Sequence, residues 1–521
     1  MSPDPLQTPS AGNSTFQIDF LTVTIKDLQG YLADKRTTSV ELVQAYLDRI
    51  EANNRKGLEL RAVMETPPVR SLLEIARTCD KMRAEGHPLG KLHGIPLLVK
   101  DNIATDPKLG MHTTAGSYAL VNSIPKEDAT VIAKLRAAGA IILGKTTMTE
   151  FGNCKYSKAD WGWSARGGQP LSAYVAGGYP NANPDGSSSG SAISVSAGWA
   201  PGALGTETNG SLILPAGRAA GYALRSTAGL ISCFGVVPIS ATIDTVGPIT
   251  KSAYDTALLL ECMSGYDAKD PATIAAQGHT RNDYTLFTKL PHATFTGKRI
   301  GVPRHGILSA PSDSLNCRDA TINLAFQVAI EKMESLGVTI CDPTNLPSYD
   351  EWLARFEAYA DVIIQADVKE GLADYLSKMQ SSEVVNLREI IDFNVAHADL
   401  ELPPGQSGQD LLLEAEASEG TQSAEYIDAK ASLKRICKDE GIDKVMDQYQ
   451  LDALIFPTNG LATGYAAYGG YPIAAVPLGV HKNGEPFGFC FLGRKWSEPA
   501  LIALMAAYEA NFPLRATPTL L

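Results

Sequence analysis

Between Gly94 and Leu143 the chain sets a helical stretch between two short apolar runs, and this alternation confines it to the α/β class. GIPLLVK, Gly94 to Lys100, is bounded by glycine and by the polar pair Asp101-Asn102. It is too short for an independent helix and reads as a buried strand. From Asp128 to Gly152 the pattern ATVIAKLRAAGAIILGKT predicts a helix, a stop at Gly139 and a strand over Ala140–Leu143. Upstream, Thr38 and Glu41 make a T-x-x-E capping box ahead of Val43, Tyr46, Leu47 and Ile50, which repeat as one buried helical face. A second helix is expected over Ser71–Glu85.

The length of 521 residues exceeds the usual domain of roughly 100–200 residues and allows a large core. With 44% apolar and 20% charged residues, wholesale disorder is excluded. A formal charge of −12 and the lack of any Lys/Arg run argue against a nucleic-acid partner. The eight cysteines are scattered singly, without the spacing of a zinc site or redox pair, and read as reduced thiols. Residues 1–20 read as a flexible tail with no secretory signal, and no apolar run approaches the roughly 18–20 residues of a membrane span. A cytoplasmic location is therefore expected. Asn209-Gly210-Ser211 is formally a glycosylation sequon, and a glycan there would block the site described next.

Residues 153–190 form a long Gly/Pro/Ser/Asn-rich loop that delivers serines to a small-residue helix over Ser191–Gly198. Residues 267–455 are more charged and more helical, with stretches such as Cys317–Leu336 and Glu425–Lys444, and read as an elaborating layer. Apolar strand patterns return in Ala453–Pro457 and Tyr471–Val480, before a last helix from about Pro499 to Ala510.

Three segments carry chemistry: Val99-Lys100-Asp101, GSSSGS from Gly186 to Ser191, and GTETNGS from Gly205 to Ser211. Each alone is weak, since Gly/Ser runs are more often linkers. A serine attacks well only when a base removes its proton. The eight histidines show no triad order, and a neutral lysine is the known substitute. The run Ile95–Val99 would shield the Lys100 amine and lower its pKa, while strand alternation sends Asp101 to the opposite face. Gly186-Ser187-Ser188-Ser189-Gly190 also fits G-x-S-x-G with Ser188 central, but the loop before it lacks the strand that motif requires.

LHGIPLLVKDNI, DATVIAKLRAAGAIILGKTTMTEFG, GTETNGS, DTVGPIT from Asp244 to Thr250 and the GYPIAAVPLG tail together resemble the amidase-signature family over most of the chain. WSARGGQPLSAY with GSSSGSA points to its fungal or plant-like free-standing branch. The resemblance implies an α/β fold: one domain over residues 21–521, with a mixed central sheet of about eleven strands wrapped by helices. Its core would be 90–265 and 450–521, with 267–455 shaping the substrate entrance. It also implies a Ser–cis-Ser–Lys triad, with Ser211 as nucleophile, Ser187 as bridge and Lys100 as base. An oxyanion hole of backbone N–H groups falls on Thr208, Asn209, Gly210 and Ser211. Ser188 is either a hydroxyl supporting that triad or a simple helix N-cap.

No metal or organic cofactor is implied. The expected function is hydrolysis of a small-molecule carboxamide or N-acyl amide through an acyl-enzyme. An ester-processing or acyl-transferring member, or a component of a glutamine-dependent amidotransferase, is the alternative. A homodimer is one option for the assembly, which stays open. The chain departs from the broad pattern at Asn209, where many members have glycine, and at Ile213, where many have arginine. Both changes bear on substrate more than on reaction.

Overall fold

The computed structural model describes residues 17–306, 319–458 and 460–521. Most of the proposed N-terminal tail, and Cys317 at the start of one expected helix, lie outside these residues. Of the tail, Ile18 and Phe20 pack against the main core.

Eleven strands among the described residues form a single sheet. They are β1 (Val63–Glu65), β2 (Pro96–Lys100), β3 (Ile141–Thr146), β4 (Gly202–Glu207), β5 (Tyr222–Arg225), β6 (Thr245–Thr250), β7 (Arg299–Gly301), β8 (Thr339–Cys341), β9 (Ala453–Pro457), β10 (Ile473–Val480) and β11 (Pro486–Leu492). Their spatial order is β1-β3-β2-β4-β6-β5-β10-β11-β9-β7-β8. The pairs β2/β3, β2/β4, β7/β8 and β7/β9 are parallel and the others antiparallel, so the sheet is mixed, as expected. Every residue of β2, β3 and β4 is buried, which explains why β2 and β3 read as continuous runs rather than alternating ones. Residues 267–455 supply β7 and β8 to this sheet as well as helices.

The capping box forms as read: Thr38 accepts from Glu41 N, and Glu41 accepts in return from Thr38 N, opening the helix Ser39–Asn53. The next helix spans Val69–Ala84. The helix Thr130–Ala137 leads into β3. Glu498–Asn511 forms the last helix, buried from Leu501 to Tyr508.

The single helix expected over Glu425–Lys444 is instead three pieces. Ala424–Lys434 and Asp443–Tyr449 are α-helical, and Arg435–Ile442 between them is a wider π-type stretch. Gly441 permits this: a Cβ there would meet the Ile436 carbonyl at 2.5 Å, so the widened turn requires a residue without a side chain at that position.

A second, smaller apolar cluster joins Met148, Phe151 and Val237 to Leu372, Leu376, Ile390 and Leu412. It ties the segment after β3 to the long helix Tyr349–Ser377 and its neighbours. Among the described residues no helix is long and apolar enough to cross a membrane. The seven described cysteines are all unpaired.

Candidate active site

β2 and β4 run side by side and parallel, with Leu98 facing Ala203 and Val99 facing Leu204. Lys100 at the end of β2 is thereby brought beside Thr206 near the end of β4, and the loop after β4 carries Thr208 to Ser211. Sites at the carboxyl ends of parallel strands are the rule in α/β sheets. The third segment comes from the 153–190 loop, which ends in a cis Gly186–Ser187 peptide and enters the helix Ser189–Ser196.

These elements bring Lys100 and Ser187 into contact, with the Lys100 Nζ 2.8 Å from Ser187 Oγ. Nζ also donates to the Thr206 carbonyl at 3.2 Å and to Thr206 Oγ1 at 2.9 Å, and Asn102 Nδ2 donates to the same Oγ1 at 3.0 Å. Burial lowers the Lys100 pKa to about 7, against an opposing pull from Asp244 and Glu207. Asp101 does face elsewhere: its carboxylate accepts from Thr114 N, Thr114 Oγ1 and Gly116 N.

Lys100 and Ser187 are each 1% exposed, whereas Ser211 is 8% exposed and Asn209 is open to solvent. Ser188 N donates to the Ser211 carbonyl at 3.0 Å, so the two serine segments are joined. The Ser188 hydroxyl donates to the Thr206 carbonyl and accepts from Thr206 N. Ser188 sits at the N-cap of Ser189–Ser196 without capping it through its hydroxyl, and no strand precedes it.

The loop itself is held from several sides. Glu207 Oε2 accepts from Leu212 N at 2.8 Å and Ile213 N at 2.9 Å, at the start of the helix Ile213–Arg218. Gly210 takes φ +86, and a Cβ there would meet Leu214 Cδ1 at 2.8 Å, so this position requires glycine. Thr208 Oγ1 donates to Asp244, whose other oxygen accepts from Ile239 N and Ser240 N. Burial raises Asp244 to about 6, although those hydrogen bonds favour its ionised form. Among the described residues, the N–H groups of Thr208, Asn209, Gly210 and Ser211 have no protein acceptor.

Sequence reading missed Asn102, Thr206, Glu207, Arg225 and Asp244. Thr206 and Glu207 lie inside the quoted GTETNGS run and Asp244 opens DTVGPIT, so their segments carried the signal although no role was assigned. Arg225 lies outside every quoted motif. Ile213, where an arginine was noted as common, is fully buried, and the guanidinium near this loop comes instead from Arg225 on β5.

Another buried lysine lies in the 153–190 loop. Lys155 ion-pairs with Glu150 and with Glu401, both at 2.6 Å, and donates to the Glu401 carbonyl at 2.8 Å. Glu401 also accepts from Ser117 Oγ, and Glu150 from Ala165 N. Burial and the neighbouring Glu401 push Glu150 well above the usual carboxylate range. Against the cost of burial, Lys155 and these hydrogen bonds hold Glu401 below it. An open groove of about 720 Å³ lies between Ala241-Thr242, the helix Tyr349–Ser377 and the helix Ala424–Lys434, and neither Lys100 nor the serines line it.

Comparison with known proteins places the chain in a family. The family described as Amidase matches residues 41–468. A Schizosaccharomyces pombe protein designated an amidase is 35% identical, over 95% of this chain and 86% of its own length. The native peptide amidase of Stenotrophomonas maltophilia superposes with a TM-score of 0.87 at 37% identity, over 96% of this chain and 98% of that one. More distant is a glutamyl-tRNA(Gln) amidotransferase component from Clostridium acetobutylicum, 28% identical over 94% of this chain and 99% of its own. The chain belongs to the Amidase family and is a hydrolase of carbon–nitrogen bonds.

Proposed function

We propose that this chain hydrolyses a small-molecule carboxamide or N-acyl amide through an acyl-enzyme on Ser211. The observation that carries the reading is the buried Lys100 amine, brought to about 7 and 2.8 Å from the Ser187 hydroxyl. A neutral amine has two N–H groups and one lone pair. The two Thr206 oxygens take the N–H groups, and the lone pair is left to accept from Ser187. Ser187 in turn accepts the Ser211 proton as Ser211 Oγ attacks the substrate carbonyl. The resulting oxyanion is received by the unengaged N–H groups between Thr208 and Ser211, which need no reorganisation. Ser187 then passes the proton to the leaving nitrogen, and water releases the acyl group by the same relay.

The peptide amidase likeness favours an amide carried on a peptide-like acyl group. Residues 267–455 are assigned to the substrate entrance, because helices from this stretch wall the groove beside the Ile239–Asp244 loop that holds Thr208. A free-standing, cytosolic enzyme fits better than an amidotransferase component, whose relatives are less similar. The test is intact-mass and peptide mapping after reaction with a fluorophosphonate. One adduct is expected, on Ser211, and it should vanish in Ser211→Ala. An adduct on Ser188 that survived Ser211→Ala would replace this mechanism with the nucleophile-elbow one.

A further inference from the structure

Arg225 ends β5, is fully buried, and belongs to none of the serine or lysine segments. Its Nη1 donates to the carbonyl of Glu207 at 2.9 Å and to that of Thr208 at 3.1 Å. Its Nη2 donates to the Ile243 carbonyl at 2.7 Å, on the loop whose next residue, Asp244, holds the Thr208 hydroxyl. One guanidinium therefore grips two consecutive carbonyls of the nucleophile loop and one of the loop across from it.

In a trans peptide unit the C=O and the following N–H point in opposite directions. With the carbonyls of Glu207 and Thr208 drawn onto Arg225, the N–H groups of Thr208 and Asn209 must face away from it. The same logic fixes Ser211 N–H, because the Gly210 carbonyl is held by Leu214 N at 2.9 Å. These three N–H groups are among those left without a protein acceptor.

We infer that Arg225 is the positioning residue of the oxyanion hole: by holding the carbonyls behind the loop, it aims the N–H groups of Thr208 and Asn209 at the reacting carbonyl. The inference rests on the proposed role of Ser211 and adds a residue that does not touch substrate. Lysine at 225 would keep the charge but could not span three carbonyls from one planar fork. Donors aimed at the developing oxyanion matter in the transition state and little in the bound ground state.

The test is fluorophosphonate labelling of Ser211 in wild type and Arg225→Lys, with the limiting rate and the half-saturating concentration measured separately across pH. In this reaction Ser211 Oγ attacks phosphorus, fluoride leaves, and the serine proton passes through Ser187 to Lys100. The phosphoryl oxygen gains charge in the same hole. Arg225→Lys should lower the limiting rate about 10²-fold, the loss seen when an oxyanion donor is removed. Half-saturation should stay within about twofold, and the rise in rate near pH 7 should keep its place. An unchanged limiting rate, a loss carried by half-saturation, or a displaced pH rise would overturn the inference. Arg225→Gln, planar and neutral, gives the same readout if the lysine variant does not fold. Failure of both to fold would assign Arg225 to stability and also overturn it. Wild-type labelling that persists in Ser211→Ala would be the separate failure of the parent reading.

Discussion

Lys100 and Lys155 are buried to nearly the same degree, in segments that the fold brings to the same end of the sheet, yet they face opposite surroundings. Lys100 meets a serine, a threonine hydroxyl and a carbonyl, with no carboxylate in contact. Lys155 is clamped between the carboxyl groups of Glu150 and Glu401. Burial alone disfavours an ammonium ion, and a contacting carboxylate restores it. The difference teaches that the companion group decides whether a buried lysine is a base or a pin. Lys100 is placed to serve as the proposed base, while Lys155 fastens the 153–190 loop to the helical layer at Glu401.

The largest effect should come from removing the base. Lys100→Ala should slow acylation about 10²–10⁴-fold, and Lys100→Arg should fare no better, since a guanidinium stays protonated. Single-turnover labelling measures both, and a near-normal rate in the arginine variant would erase the contrast between the two lysines. Next in size is the pin. Lys155→Met strands the buried Glu401 carboxylate and leaves the Glu150 carboxyl without its partner, and should cost about 3–5 kcal/mol in denaturant unfolding. The labelling rate per folded molecule should change by no more than a few-fold. A rate loss matching that of Lys100→Ala would mean that Lys155 also serves the chemistry.

A smaller effect has the opposite sign. A lysine at 10.5 in the unfolded chain and about 7 in the fold binds protons more tightly when unfolded. Stability is therefore lost as pH falls from 10.5 to 7, amounting to about 4 kcal/mol at pH 7. Lys100→Met removes that cost but leaves two hydroxyls short of a partner, at about 1 kcal/mol each. The variant should be about 2 kcal/mol more stable than wild type at pH 7, with the gain shrinking toward pH 10. Urea unfolding across this range decides it, and a destabilised Lys100→Met at pH 7 would show that the amine is not strained by burial. The smallest expected effect sharpens the comparison: acylation should rise about tenfold per unit below pH 7 and then level. Lys155→Met should leave the midpoint within a few tenths of a unit.

Elements whose signal is local were legible in the sequence. The Thr38 capping box, β2, β3 and the last helix each declare themselves within a few residues, through a cap or an apolar run. β7 and β8 did not, because a three-residue strand carries no period and owes its place to pairing beside β9. The widened turn at Arg435–Ile442 depends on how closely a carbonyl approaches Gly441, which helical periodicity does not encode. At the site, motifs pointed to Lys100, Ser187 and Ser211 and to the loop between Thr208 and Ser211. Arg225 was invisible: its three acceptors are backbone carbonyls, and a carbonyl has no letter in the sequence.

The strand order also sets a timetable. Lys100, Ser187, Ser211 and Arg225 are all made before residue 226, but β5 has β10 as its outer neighbour, and β10 begins at Ile473. At roughly 5–20 residues per second, a ribosome needs on the order of 10–50 seconds to travel from one to the other. Through that interval the segments carrying the proposed triad hang on a sheet whose β5 edge lacks its β10 neighbour, an adhesive surface for any other extended chain. Newborn copies of this protein therefore pass through a sticky adolescence, which pairing of β10 with β5 brings to a close.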